Sequence, residues 1–317
     1  ARGRTRVVKP ARKFMSETMD TLRRKLNSAH ELGAVVRTMK TLAAANIGQY
    51  ERAVRSLSDY NRTVELALAA YFRGNKLTLP VGESRLEPDR IVGAVVFGSD
   101  QGLVGRFNDY LAGHVVSQLR SSAEKSVMWV VGERMASCLG DAGLQSTEVY
   151  SVPDSTSAIT TLVTQLLADI EERRTRGDMG EIFVFHNRPG LGAGYEAAQQ
   201  RLLPLDQQLV NQWVQIPWPT PRPPQVLARG EATLLSLIRE YLFVAIFRAC
   251  GGSLASENAS RLAAMQRAER NIGDLVEELT RAFNQTRQTA IDEELFDLLG
   301  GFEALSQQPT KRTNSGG

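Results

Sequence analysis

The stretch NQTRQTAIDEELFDLLGGFEAL (284–305) closes a segment, Gln225 to Gln308, that contains no proline. Proline lacks a backbone N–H and its ring clashes with the preceding turn, so it breaks helix interiors. Its absence here leaves room for one very long C-terminal helix. At 1.5 Å per residue, a helix filling most of 225–305 spans on the order of 100 Å. A second proline-free stretch, Ala11 to Leu79, lies at the other end, and apart from Pro10 and Pro309 every proline falls between the two. The expected architecture is therefore a pair of long terminal helices around a middle domain.

The N-terminal stretch carries a sustained heptad. Positions 22, 26, 29, 33, 36, 40, 43, 47, 50, 54, 57, 61, 64, 68 and 71 alternate steps of four and three, and only Lys40 and Asn61 among them are polar. Such spacing favours a left-handed coiled coil, and Ala29, Gly33 and Ala43 allow a partner helix to approach closely. The C-terminal stretch repeats the spacing in two blocks, Ile272, Val276, Leu279 and Phe283, then Ile291, Leu295, Leu298, Phe302 and Leu305. Between them the polar sextet Asn284–Thr289 shifts the apolar register. Domain termini usually lie close together, so the two helices are expected to run side by side and antiparallel. The apolar end LFDLLGGFEAL is expected to be received by a partner.

Residues 88–215 alternate strand-like and helix-like runs. IVGAVVF (91–97), SVMWVV (126–131), STEVYSV (146–152) and EIFVFH (181–186) read as strands; 107–120, 133–141 and 155–174 read as helices. This order predicts an α/β domain with a mainly parallel sheet. AAQQRLLPL (197–205) reads as an added edge strand, since Pro204 is hard to place centrally. PWPTPRPP (217–224) reads as a stiff linker. The expected organisation is a disordered basic extension (1–14), an N-terminal coiled-coil helix (15–79), a central Rossmann-like α/β domain with its linker (80–224), a C-terminal coiled-coil helix (225–305) and a disordered tail (306–317).

Composition narrows the function. The formal net charge of +3 over 317 residues is close to balanced, which does not fit a chain that binds nucleic acid along its length. Charge is local: Arg2, Arg4, Arg6, Lys9, Arg12 and Lys13 occur in 1–14 without an acid. That segment lacks an apolar core of a secretory signal and reads as an upstream extension or solvated arm rather than a transit peptide. Cys138 and Cys250 form no paired motif, and His30, His114 and His186 are scattered, so no metal site is expected. The most apolar run, LLSLIREYLFVAIFRA (234–249), is interrupted by Arg239, Glu240 and Arg248 and reads as a buried helix rather than a membrane span.

No catalytic constellation emerges. The loop GSDQGLVGRFN (98–108) is a glycine-rich turn of the kind that cradles phosphate. Its spacing matches neither the dinucleotide fingerprint nor a P-loop, and a tight strand-to-helix turn capped by Asp100 is the preferred reading. RPGLGAGYE (188–196) reads as a hairpin loop. Asp292, Glu293, Glu294 and Asp297 read as a solvated acidic helix face rather than catalytic carboxylates. Arg23, Arg24 and Lys25 lack the interleaved aromatics of a single-strand platform.

Three stretches resemble one family. ASENASRLAAMQRAERNIGDLVEELTRAFNQTRQTAIDEELFDLLGGFEAL (255–305) closely resembles the end of the gamma subunit of F-type ATP synthases. SDQGLVGRFN (99–108) resembles that family's S-D-R-G-L-C-G-x-x-N loop, and RRKLNSAHELGAVVRTMKTLAAA (23–45) resembles its N-terminal pattern. Departures occur at Val36-Arg37-Thr38, which precedes the shared Met39, and at Asn46, Gln101, Val104, Arg106, Asn258 and Asp292; together they resemble the alternate bacterial branch, often thought sodium-linked.

The resemblance implies a rotor. The paired helices form the central stalk inside a ring of alpha and beta subunits, with the α/β domain near the membrane c-ring and the epsilon subunit. Rotation couples proton or sodium transport to ATP synthesis or hydrolysis on the beta subunits. The gamma subunit itself carries no catalytic, nucleotide, cofactor or metal site. Such a complex places the subunit peripherally on the cytoplasmic face of the bacterial plasma membrane. By match to the family, Met39, Arg261, Gln288 and Glu294 are positions of rotor–stator contact. Two rivals remain open from sequence: a coiled-coil adaptor with a non-catalytic α/β domain, and a small-molecule enzyme that dimerises through its helices.

Overall fold

The computed structural model describes residues 9–74, 91–119, 126–176, 179–190, 194–222, 224 and 230–306, with side chains from Thr18 to Gly300. Residues 1–8 of the basic extension and 307–317 of the tail lie outside the described residues. The chain divides into two compact units, 1–38 with 266–317, and 39–265. Helix α1 (Lys9–Ser56) and helix α7 (Glu231–Ser306) each contribute to both. Residues 9–14, assigned from sequence to the disordered extension, belong to α1.

The first unit is a helix pair. On α1 the buried or half-buried residues include Leu22, Leu26, Ala29, Gly33 and Val36, the positions of the predicted seam. On α7 they are Ile272, Val276, Leu279 and Phe283, continuing through Thr286 and Ala290. A side chain at Gly33 would begin 3.5 Å from Ile272 Cγ2, so the small residue does allow the close approach. The predicted register shift across 284–289 does not occur, because Thr286 and Ala290 are small enough to stay in the original stripe. The second apolar block instead faces outward: Ile291 is 53% exposed, Leu295 54% and Leu298 73%.

The second unit is built on a five-stranded sheet of order β3-β2-β1-β4-β5. Its strands are β1 (Ile91–Phe97), β2 (Ser126–Val131), β3 (Glu148–Tyr150), β4 (Met179–Pro189) and β5 (Tyr195–Leu203). Strands β1 to β4 are parallel and β5 is antiparallel to β4. The edge strand expected at 197–205 is therefore present, joined to β4 as a hairpin closed by Gly190 N donating to Gly194 O at 3.0 Å. Residues 191–193 of that loop lie outside the described set. Strand β3 is shorter than predicted, because only three of its residues pair with β2 and Val149 stays 45% exposed at the edge.

Alternation along the strands creates two cores. Ala94, Val96, Met128, Val130 and Phe185 face α3 (Phe107–Leu119) and α4 (Glu133–Asp141). Val95, Phe97, Val127, Trp129, Val131, Ile182 and Val184 face the other way. There they meet α5 (Thr156–Thr175), α2 (Ser58–Gly74), α6 (Gln207–Gln215) and residues 241–255 of α7. The apolar run 234–249 is a helix segment, buried as expected from Tyr241 onward but not before it, where Leu235 is 53% exposed. Among the described residues no helix is long and apolar enough to cross a membrane.

The N-terminal heptad is one stripe on two helices. The helix breaks at Leu57, where Ser56 Oγ turns back to donate to Ala53 O at 2.9 Å. Leu57, Asn61, Val64, Leu68 and Tyr71 nevertheless stay buried or half-buried, because the break leaves the inward face unchanged. Within this unit α1 and α7 run antiparallel. Asn46 Nδ2 donates to Asn258 Oδ1 at 3.4 Å, and further along, Gly251 faces Val54 so closely that a Cβ would lie 2.5 Å from its Cγ2.

Candidate functional site at the strand ends

Open α/β sheets bind ligands outside the carboxyl ends of their strands, where the chain order reverses. Here that point is the end of β1, flanked by β2 and β4. The chain fills it with its own groups. After β1 the backbone passes Gly98, where a Cβ would lie 2.2 Å from Met135 Cβ, and enters the loop 99–106. Asn108 holds the loop from below: its Oδ1 accepts from Ser99 N at 3.1 Å and its Nδ2 donates to Ser99 Oγ at 2.8 Å. Asn187, at the end of β4, donates to Phe107 O at 3.0 Å.

Asp100 sits where a phosphate-binding fold would place its anion. The residue before α4 is Gly132, which has no side chain to cap the helix. Asp100 Oδ1 accepts instead from Glu133 N at 3.0 Å, and Oδ2 accepts from Val152 N at 2.9 Å. A helix N-terminus favours negative charge, and this carboxylate supplies it. Asp100, expected to cap the strand-to-helix turn, caps the start of α4, one strand further on. Gly132 has φ +112°, and an added Cβ would lie 2.6 Å from Ser99 O, so this crossing of loop and strand end requires glycine.

Helix α7 closes the remaining space. Ser253 Oγ donates to Phe97 O at 3.1 Å, and Ser260 Oγ donates to Val104 O at 2.6 Å. Between them Glu257 is only 4% exposed and pairs with Arg261, Nη2 to Oε1 at 2.6 Å. Burial pushes the Glu257 carboxyl upward, the Arg261 guanidinium opposes this, and the Asp100 charge adds to the rise. Glu257 Oε2 and Ser256 Oγ are buried with no hydrogen-bond partner among the described residues. His186, in β4, lies 3.9 Å from where a Cβ on Gly252 would be. Burial, assisted by the Arg188 charge, pushes its imidazole down to about 4.

This polar stripe was not singled out from sequence. Its signal was the run Ser253, Ser256, Glu257, Asn258 and Ser260 inside an otherwise apolar helix, which reads equally well as a solvated face. Of the four expected contact positions, Met39 and Arg261 lie in the sheet-containing unit and Gln288 and Glu294 in the helix pair. Met39 is half-buried, and the Arg261 side chain is 17% exposed and committed to Glu257. Gln288 and Glu294 are exposed. Among the described residues no group of His, Cys, Asp and Glu is placed to hold a metal ion.

A family model described as ATP synthase matches residues 18–305. The ATP synthase gamma chain of Glaesserella parasuis is 27% identical over 293 residues, covering 90% of this chain and 98% of the relative. That of a Parafrankia species is 27% identical over 305 residues, covering 92% and 99%. Among solved structures, a chain of the Euglena gracilis mitochondrial ATP synthase (OSCP/F1/c-ring) superposes with TM-score 0.65 at 16% identity, covering 94% of this chain and 99% of that one. A chain of the Tetrahymena thermophila mitochondrial central stalk and c-ring gives TM-score 0.51 at 20% identity, covering 74% and 99%. The filled strand ends, the paired terminal helices and the match over nearly the whole chain agree: the chain belongs to the ATP synthase gamma-chain family, a central-stalk rotor subunit and a non-catalytic part of its enzyme complex.

Proposed function

We propose that this subunit turns inside a ring of alpha and beta subunits and rests on a membrane c-ring with an epsilon subunit. In this way it couples proton or sodium flow to ATP synthesis or hydrolysis from the cytoplasmic face of a bacterial plasma membrane. The observation that carries the reading is the end of α7. Residues 291–300 are exposed throughout, with Phe296 at 71% and Leu298 at 73%. An apolar helix end of this kind is stable in water only when something sheathes it, and a ring of subunits supplies that sheath. The departures at Asn46, Gln101, Val104, Arg106, Asn258 and Asp292 favour the alternate bacterial branch.

Met39, Arg261, Gln288 and Glu294 are the residues we assign to contacts with the catalytic ring. Such contacts must be made and released on every turn. A hydrogen bond to a charged group contributes about 1.5–3 kcal/mol, and an exposed ion pair less than about 1 kcal/mol. Contacts of this size set the register of the shaft without locking it. Gln288 and Glu294 are exposed to a partner surface, whereas Arg261 presents only the edge of a guanidinium already held by Glu257. The test is co-purification of the tagged chain from its native membranes. Stoichiometric alpha and beta subunits are expected; a defined complex without them would refute the assignment.

A further inference from the structure

We propose that Ser253, Glu257 and Ser260 form a latch that fixes the angle of α7 against the sheet, so that torque passes between the α/β domain and the shaft helix without slip. The proposal rests on the rotor reading above. The three residues are spaced four and three apart, so they share one helix face, and the serines stand about two turns from each other. They grip two different places: Ser253 holds the last carbonyl of β1, at Phe97, and Ser260 holds the carbonyl of Val104 in the loop beyond it. Both carbonyl groups belong to buried residues, Phe97 being 1% and Val104 2% exposed.

The apolar contacts of α7 perform this task only coarsely. Tyr241, Leu242, Ile246, Phe247 and Leu254 bury their side chains against the sheet core, but hydrophobic burial is non-directional. It fixes which face of the helix meets the domain, and close packing opposes large rotations, but it sets the fine angle less sharply than a directional bond does. Hydrogen bonds are directional and weaken steeply when bent. Two of them, separated along the axis and aimed at a strand end and at the loop beyond it, define one angle. The start of the loop is pinned, at Ser99 by two bonds to Asn108 and at Asp100 by bonds from Glu133 N and Val152 N. Glu257 sits between the serines, and its pairing with Arg261 keeps a charged and strongly hydrated group from prying the face open.

The test has two arms, both using the double variant Ser253→Ala/Ser260→Ala. In the isolated full chain, amide hydrogen exchange of residues 97–106 is expected to accelerate, by up to about tenfold for each hydroxyl removed. In the assembled membrane complex, ATP hydrolysis is expected to persist while ions pumped per ATP hydrolysed fall by more than half. Ser253→Thr/Ser260→Thr, which keeps both hydroxyls, is expected to restore the ratio. Unchanged exchange would remove the latch, and faster exchange with an unchanged pumping ratio would make it a structural bond with no part in coupling. If the double variant does not fold, Ser260→Ala alone is read by the same two measurements. Failure of the wild-type chain to assemble with alpha and beta subunits would overturn the rotor reading instead, and leaves the exchange arm to judge the latch.

Discussion

Two segments of α7 share apolar residues and live in opposite surroundings, and only the later one adds four acids, Asp292, Glu293, Glu294 and Asp297. Residues 241–258 are almost wholly buried, with Ile246 at 0% and Val244 at 1% exposure; residues 291–300 are exposed throughout. Both segments are rich in Leu, Ile and Phe. The difference lies in what the chain itself provides. The first segment is covered by a sheet face, α2, α5 and α6. Past Ala290 no inward stripe continues through the described side chains. A helix whose first half is a core element and whose residues 291–300 are exposed is anchored in one part and offered in the other.

Truncation at the two ends breaks this comparison most sharply. Ile246→Ala removes a fully buried side chain and is expected to cost about 2–5 kcal/mol of stability. Leu298→Ala removes an exposed one and is expected to change the isolated chain by less than about 0.5 kcal/mol. Denaturant unfolding of the two variants measures both, and equal losses would mean that the C-terminal turns are folded into the chain's own core.

Acid tests the anchored half next. His186 packs beside α7 at Gly252, and its imidazole titrates near 4 when folded rather than near 6.5. The unfolded chain therefore takes up this proton first as pH falls. The contribution is complete above about pH 6.5 and is lost as pH falls to about 4, by on the order of 3 kcal/mol. Glu257 works in the opposite sense, since its raised carboxyl favours the protonated folded state as pH falls. The difference between wild type and His186→Gln isolates the histidine: the variant is expected to lose the steeper part of the acid slope, and parallel stability curves would contradict the assignment.

A smaller effect is expected at the strand ends. Gly132→Ala forces a side chain into a left-handed backbone 2.6 Å from Ser99 O, at a cost of about 1–3 kcal/mol. Thermal unfolding of the variant measures it, and a neutral result would show that the loop over α4 yields more easily than its hydrogen bonds imply.

The sequence made the periodic parts of this fold readable. All fifteen heptad positions from Leu22 to Tyr71 are buried or half-buried, because a stripe at constant spacing faces one way whatever covers it. The strands at 91–97 and 126–131 were legible as continuous apolar runs, because both faces of the sheet are covered, and the hairpin at 188–196 through its glycines. The break at Leu57 was invisible because it preserves the stripe. The register through 284–289 was misjudged because Thr286 is polar yet small, and a seam accepts it. The latch residues were hidden because serine, glutamate and asparagine on a long helix look like a wet face. Only the sheet end that folds against them makes them interior. The carboxylate of Asp100 was recognised as a cap, but which helix it caps depends on the strand order.

Gln288 stands at the join between the anchored and the offered parts of α7, and its exposed amide makes it the smallest of these perturbations for the isolated chain. Gln288→Ala is expected to leave helicity and unfolding unchanged while weakening coupling or assembly of the complex. Equal loss of helicity in the purified variant would count against a contact role.

The most direct measurement attaches a bead to the α/β domain of this chain, assembles the chain with surface-fixed alpha and beta subunits, and follows the bead after ATP is added. Sustained rotation in one direction is the predicted result. A chain that assembles, supports hydrolysis and leaves the bead at a fixed angle would contradict the rotor assignment.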